Sequence, residues 1–219
     1  MDAYDRGYGI YFPYSLIVSA VSNFISTRND KKQKNRGGEE LNLLDIGCGA
    51  GSNAMLTRRF PHINYTGVDI SSTAIIKASN NFLNSDPTSL NTKIKFIKCD
   101  TLEFLYRNEI KFDLIIDRAS LQHHSYFESE TSAKSFFRLI NSSLSTDGRF
   151  VSLWSDSLNK NMTKNFLHFQ PFRSIREACL QAFADVQIMQ IETKLVYPQE
   201  QQGEIEVLFQ GDRMKTKES

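Results

Sequence analysis

The sequence predicts an α/β fold: a Rossmann-like doubly wound sheet, mostly parallel, with an antiparallel C-terminal hairpin strand. Three observations predict it. From Leu41 onward, short runs rich in Leu, Ile, Val and Phe alternate with helix-length segments. That is the pattern of βαβ units, whose helices cover both faces of a parallel sheet. A glycine cluster, Gly47-Cys48-Gly49-Ala50-Gly51, separates the first run from the first helical segment, at the edge where such sheets bind ligands. The last two runs, Val186 to Val196 and Glu204 to Phe209, are joined only by the polar stretch Tyr197 to Gly203. That stretch is too short for a helical crossover, so an antiparallel hairpin is expected, with Gly203 at its turn.

The elements follow in order. Leu16, Ile17, Val18, Ala20, Val21, Phe24 and Ile25 recur at helical spacing and predict a helix from Ser15 to Thr27. Arg28 to Glu40 has no apolar residue and reads as a solvated linker or a basic contact patch. Strands are expected at Leu41–Ile46, Ile63–Asp69, Ile94–Cys99, Phe112–Asp117 and Arg149–Trp154, and helices at Gly51–Phe60, from Ser71 or Ser72 to Asn84, and at Thr101–Arg107, Glu130–Leu144 and Ile175–Phe183. The chain thus divides into residues 1–40, a helical arm or lid with its charged linker, and residues 41–219, the sheet domain.

Composition narrows the function. The 219 residues are 40% hydrophobic and 23% charged, enough for one large core. Lys and Arg number 26 against 25 Asp and Glu, a formal +1, so a protein that binds nucleic acid through phosphate charge is not expected. Cys48, Cys99 and Cys179 are widely spaced and form no zinc-site pattern, which suits a reduced, cytoplasmic chain. The apolar stretch Tyr11 to Ile25 is broken by Pro13 and three serines, and no membrane span or signal peptide is expected.

The glycine cluster has the spacing GxGxG, and Ser52 stands where a dinucleotide fingerprint carries its third glycine. Asp45 lies in an otherwise apolar strand, where a carboxylate is costly without a partner, and a cationic ligand gives it one. Asp69 lies 22 residues after Gly47 at a strand end, placed for ribose hydroxyls or for capping the next helix, a task that Ser71 and Ser72 can also perform.

Leu43-Leu44-Asp45-Ile46-Gly47-Cys48-Gly49-Ala50-Gly51 resembles motif I of the class I S-adenosylmethionine-dependent methyltransferases. Tyr65-Thr66-Gly67-Val68-Asp69-Ile70-Ser71 is similar to that family's ribose-binding motif, and Phe96-Ile97-Lys98-Cys99-Asp100-Thr101 to its adenine-contacting turn. Phe112 to Asp117 resembles the fourth-strand motif, and Leu144 to Phe150 the turn before the fifth strand, departing at Ser145, Thr146 and Asp147. The resemblance spans Leu41 to Trp154 and implies S-adenosylmethionine as cofactor. By it, the backbone of Gly47, Cys48, Gly49 and Gly51 faces the methionine part, and Asp45 supports its ammonium. Asp69 takes the ribose hydroxyls, Ile70 lies on the adenine, Asp100 and Thr101 read the adenine edge, and Asp117 ends its strand near the donor methyl. Asp100 also fits as a helix cap.

Methyl transfer needs mainly in-line positioning, with a general base only for a protonated acceptor. His123 and His124 are the candidates for that base, or else pack and cap at their turn. Asp117-Arg118-Ala119-Ser120 departs from the Asn/Asp-Pro-Pro-Tyr of enzymes that methylate adenine. The aromatic segment Tyr4 to Tyr14 is a flap over the site or a packed arm. The leading expectation is a methyltransferase for a small-molecule acceptor, at oxygen or carbon. A nicotinamide-dependent oxidoreductase and a catalytically inert, cofactor-binding partner subunit are the alternatives. Finally, Glu206 to Gly211 nearly reproduces a picornaviral 3C protease site, but Ile205, Val207 and Phe209 alternate as a native strand should.

Overall fold

The computed structural model describes residues 15–32, 40–83, 93–118, 120–121, 129–157, 172–197 and 200–213. The strands are β1 (Leu41–Ile46), β2 (Ile63–Asp69), β3 (Ile94–Lys98), β4 (Phe112–Arg118), β5 (Leu144–Ser157), β6 (Phe183–Tyr197) and β7 (Glu200–Arg213). The helices are α1 (Ser15–Lys32), α2 (Leu56–Arg59), α3 (Ser72–Leu83), α4 (Thr101–Arg107), α5 (Glu130–Ser143) and α6 (Phe172–Ala182). All seven strands form one sheet in the order β3-β2-β1-β4-β5-β7-β6. The pairs from β3 through β5 are parallel, whereas β7 runs antiparallel to both β5 and β6. The strand order reverses beside β1, between β2 and β4, and this switch point is where a doubly wound sheet opens a crevice.

Side-chain alternation divides the core into two layers. Leu41 and Leu43 of β1 pack with Ile17, Val21 and Phe24 of α1, while Leu44 and Ile46 pack with Phe136, Phe137 and Ile140 of α5 and Ala178 and Cys179 of α6. In the second layer Phe150 stacks on Phe183 at 5.5 Å between ring centroids, and Phe137 meets both rings edge-on or tilted.

Several boundaries differ from the sequence expectation, each for a physical reason. The helix after the glycine cluster is a 3-10 turn, Ser52–Met55, followed by a single α turn that stops at Phe60, the residue before Pro61. Helix α1 continues past Thr27 to Lys32, because Arg28 folds back to pair with Asp113 of β4 at 2.8 Å. Strand β5 begins at Leu144 and not Arg149, and its register against β4 shifts between Phe112 and Leu114. At that irregularity Gly148 lies so close to β4 that a Cβ would stand 2.9 Å from the Phe112 carbonyl oxygen. Gly203, expected at the hairpin turn, is instead a strand residue of β7 paired with Lys194. No described helix is long and apolar enough to cross a membrane.

Candidate functional site

The carboxyl ends of β1, β2, β3 and β4 are adjacent, and the sequence-predicted residues gather there. Ile46 is in register with Val68 of β2 and Asp117 of β4, and Asp69 with Lys98 of β3. Beyond β1 the chain turns through Gly47 (φ +62°), Gly49 (φ +56°) and Gly51 (φ +85°), all left-handed conformations that a side chain disfavours. The turn is tied to its surroundings by Cys48 N–H donating to the Val68 carbonyl (3.0 Å) and by the Asn81 amide donating to the Ala50 carbonyl (3.1 Å). Gly47 has a second reason to lack a side chain: a Cβ there would stand 2.1 Å from the Cβ of Ser120.

Asp69 takes the Gly49 N–H on Oδ2 (2.9 Å) and the Ser71 N–H on Oδ1 (2.8 Å), so it braces the glycine turn from the neighbouring strand. Ser71 caps α3 by accepting from the Ala74 N–H. Ile70 projects outward, 64% exposed. Asp100 caps α4, accepting from Leu102 and Glu103 N–H on Oδ1, and Thr101 beside it is buried. Cys48 is buried, and burial first, then the charges of Asp45 and Asp69, push its thiol well above the usual range. It is a protonated packing group against Gly67, not a nucleophile.

Asp117 is fully buried. Its Oδ1 accepts from the Ser120 and Leu121 N–H groups (2.9 and 3.1 Å) and lies 2.5 Å from the Ser120 hydroxyl, while Oδ2 accepts from the Ser152 hydroxyl at 2.5 Å. The carboxylate therefore ties the chain leaving β4 to β5, and burial raises its pKa against the pull of these donors. The Ser120 hydroxyl also lies 3.0 Å from the Ile46 carbonyl, which seats the post-β4 turn on the glycine turn.

Asp45 has 0% exposure and two neutral donors, the Tyr65 hydroxyl at 2.5 Å and the Asn53 amide at 3.3 Å. Burial lifts its carboxyl to about 7, with Asp117 adding to the rise, while Tyr65, Asn53 and the Arg118 charge oppose it. The Asn53 carbonyl oxygen is buried without a hydrogen-bond partner.

Sequence reasoning singled out neither Asn53 nor Ser152 and assigned no role to Tyr65 or Ser120. Ser120 had a readable signal, the Asp-x-x-Ser spacing of a capping turn. Tyr65 reads as one more alternating strand residue, and Ser152 as a strand filler. His123, His124 and the aromatic segment 4–14 lie outside the described residues. Among the described residues no group of His, Cys, Asp and Glu is arranged to hold a metal.

Comparison with known proteins agrees with this architecture. Residues 38–209 match a family model described as a methyltransferase domain. No curated protein sequence matches the chain. Among solved structures, phosphoethanolamine N-methyltransferase 2 of Haemonchus contortus aligns with TM-score 0.61 at 14% identity over 86% of this chain, which spans 53% of that protein. The N-methyltransferase NodS of Bradyrhizobium japonicum aligns with TM-score 0.58 at 20% identity, covering 88% of this chain and 98% of that one. Geranyl diphosphate C-methyltransferase of Streptomyces coelicolor gives 0.59 at 15% identity over 90% of this chain and 76% of that one. A match over residues 38–209, on a sheet of this order with a glycine turn after its first strand, shows that the chain belongs to the methyltransferase-domain family, the class I S-adenosylmethionine-dependent methyltransferases.

Proposed function

We propose that this chain transfers a methyl group from S-adenosylmethionine to a small-molecule acceptor, at oxygen or carbon. The observation that carries the reading is the turn Gly47–Gly51, braced by Asp69 at the switch point of the sheet. The residues fit the cofactor. A buried carboxylate without a directly bonded cation, Asp45, and an orphaned buried acceptor on Asn53 both adjoin the turn and suit a positively charged ligand end. When bound, the cofactor supplies an activated methyl group on a sulfonium. The chain supplies placement. Asp69, now holding the Gly49 and Ser71 N–H groups, is the residue for the ribose hydroxyls, Ile70 lies on the adenine, and Asp100 and the Thr101 N–H read its edge. Asp117 keeps the post-β4 turn on the glycine turn, and His123 or His124 accepts the proton of a protonated acceptor. Small-molecule acceptors are named for two of the similar structures, phosphoethanolamine and geranyl diphosphate, which favours that class here.

Calorimetry with S-adenosylmethionine and NAD(H) side by side tests the reading. Tight binding of the first and none of the second is expected, and the reverse would mark an oxidoreductase. Asp69→Ala removes charge-assisted hydrogen bonds worth about 1.5–3 kcal/mol, so cofactor binding should weaken about tenfold to hundredfold. A labelled-methyl assay over a metabolite panel then separates an active enzyme from an inert cofactor-binding subunit. In that assay His123→Ala and His124→Ala should lower turnover at unchanged cofactor affinity. Full turnover in both variants would leave positioning alone as the mechanism.

A further inference from the structure

Three neutral or weakly acidic groups converge behind the glycine turn. Asp45 is enclosed, and its hydrogen bonds come from the hydroxyl of Tyr65, itself fully buried, and from the amide of Asn53, 4% exposed. Tyr65 lies among apolar groups, with Phe96 edge-on at 5.8 Å between ring centroids, so its hydroxyl is a polar intrusion into a core layer. Asn53 commits its N–H to Asp45 and leaves its carbonyl oxygen buried with no donor. Burying an acceptor in that state is unfavourable, and packing alone would be served better by an apolar residue. Both residues therefore make sense through what they do to Asp45.

We propose that Asn53 and Tyr65 are positioning residues that hold the Asp45 carboxylate as the buried counter-charge for the ammonium on the cofactor's methionine part. This rests on the proposed function above. The ionisable groups facing Asp45 are Tyr65 of β2, Asp117 and Arg118 of β4 and Cys48 of the turn, with Asp69 beside Cys48. Arg118 is the single cation in that described set, and it ranks last among the influences on Asp45. In the free chain the carboxyl titrates at about 7, so near neutral pH it is divided between acid and carboxylate. Arrival of a cation favours the carboxylate, and the displaced proton leaves to solvent. Tyr65 and Asn53 hydrogen bonds favour the same charged form.

The test is the pH dependence of binding by calorimetry, with S-adenosylhomocysteine, which carries the ammonium, against methylthioadenosine, which has the same nucleoside and a thioether but no amino-acid part. For the parent, S-adenosylhomocysteine should bind about tenfold more weakly at pH 6 than at pH 8, levelling off above pH 7, while methylthioadenosine stays flat. Tyr65→Phe and Asn53→Ala each remove a donor to the carboxylate and should move the midpoint of that profile upward. A role in packing alone would lower melting temperature without moving it. If the parent binds S-adenosylhomocysteine with no pH dependence in this window, Asp45 is not the counter-charge. If the parent profile appears but neither variant shifts it, the positioning role falls. The parent profile and Asn53→Ala suffice should Tyr65→Phe fail to fold. A parent that binds neither compound overturns the proposed function itself, and this inference with it.

Discussion

Single residues at the β1 end carry conflicts that only the folded chain reveals. Asp45 was legible from sequence, because a carboxylate inside Leu-Leu-Asp-Ile breaks the apolar run. Its partners were not. A tyrosine in a strand reads as part of the alternating apolar face, and Asn53 reads as the polar side of a helix; the pairing of β1 with β2 brings Tyr65 to Asp45, and the turn after Gly51 brings Asn53 back to it. A pH prediction belongs here. The folded carboxyl titrates at about 7 and an unfolded aspartate near 3.8, so the folded state binds the extra proton between these values. The stability this gives is complete below the unfolded pKa and is lost as pH rises through the folded one, up to about 4 kcal/mol. Asp45→Asn removes that loss, and thermal melting should show the variant gaining on the parent from pH 5 to pH 8; a constant difference would place the Asp45 pKa elsewhere. Gly47 offers a second test. A methyl group there meets Ser120 and must adopt φ +62°, so Gly47→Ala should destabilise by about 2–4 kcal/mol. Adding Ser120→Gly should restore part of that cost in denaturant titrations, leaving the backbone strain.

At the scale of elements, the alternation of strand and helix was readable throughout β1 to α5, and α4 falls at the expected Thr101–Arg107. The end of α1 and the start of β5 were misplaced for one reason: each depends on a contact distant in sequence. The sequence ends α1 at Thr27 because no apolar residue follows, yet Arg28 reaches Asp113, which also accepts from the Asn42 N–H and the Ser145 hydroxyl. Arg28 and Arg149 both lie against the Phe24 ring, at 5.8 and 5.5 Å. This cluster fastens α1 across the amino ends of β1, β4 and β5, opposite the candidate site. The pair is largely buried, with side chains 15% and 11% exposed, so losing one partner strands the other. Arg28→Ala and Asp113→Ala should each cost about 2–3 kcal/mol, and the double variant much less than their sum, as read in a double-mutant cycle. Additive losses would make the ion pair incidental.

For the molecule as a whole, the sheet order explains the fate of the protease-like segment. Residues 204–209 of β7 pair with β5 on one side and β6 on the other, so this stretch is an interior strand. A protease cleft needs extended backbone with free hydrogen-bonding groups, and here both edges are occupied. The folded protein should resist 3C protease under conditions that cleave the denatured chain after Gln210; rapid cleavage when folded would remove β7 from the sheet. The same placement bears on how the protein is made. In the order β5-β7-β6, the strand synthesised last is the one inserted between two earlier ones. While the chain emerges from a ribosome, β5 has no neighbour on that side and β6 has no place in the sheet until residues 200–213 are clear of the exit tunnel. Until then the nascent chain presents open strand edges of the kind that recruit chaperones or pair with other chains. A stop codon just before β7 would make that passing condition permanent, turning a late step of synthesis into an aggregating product.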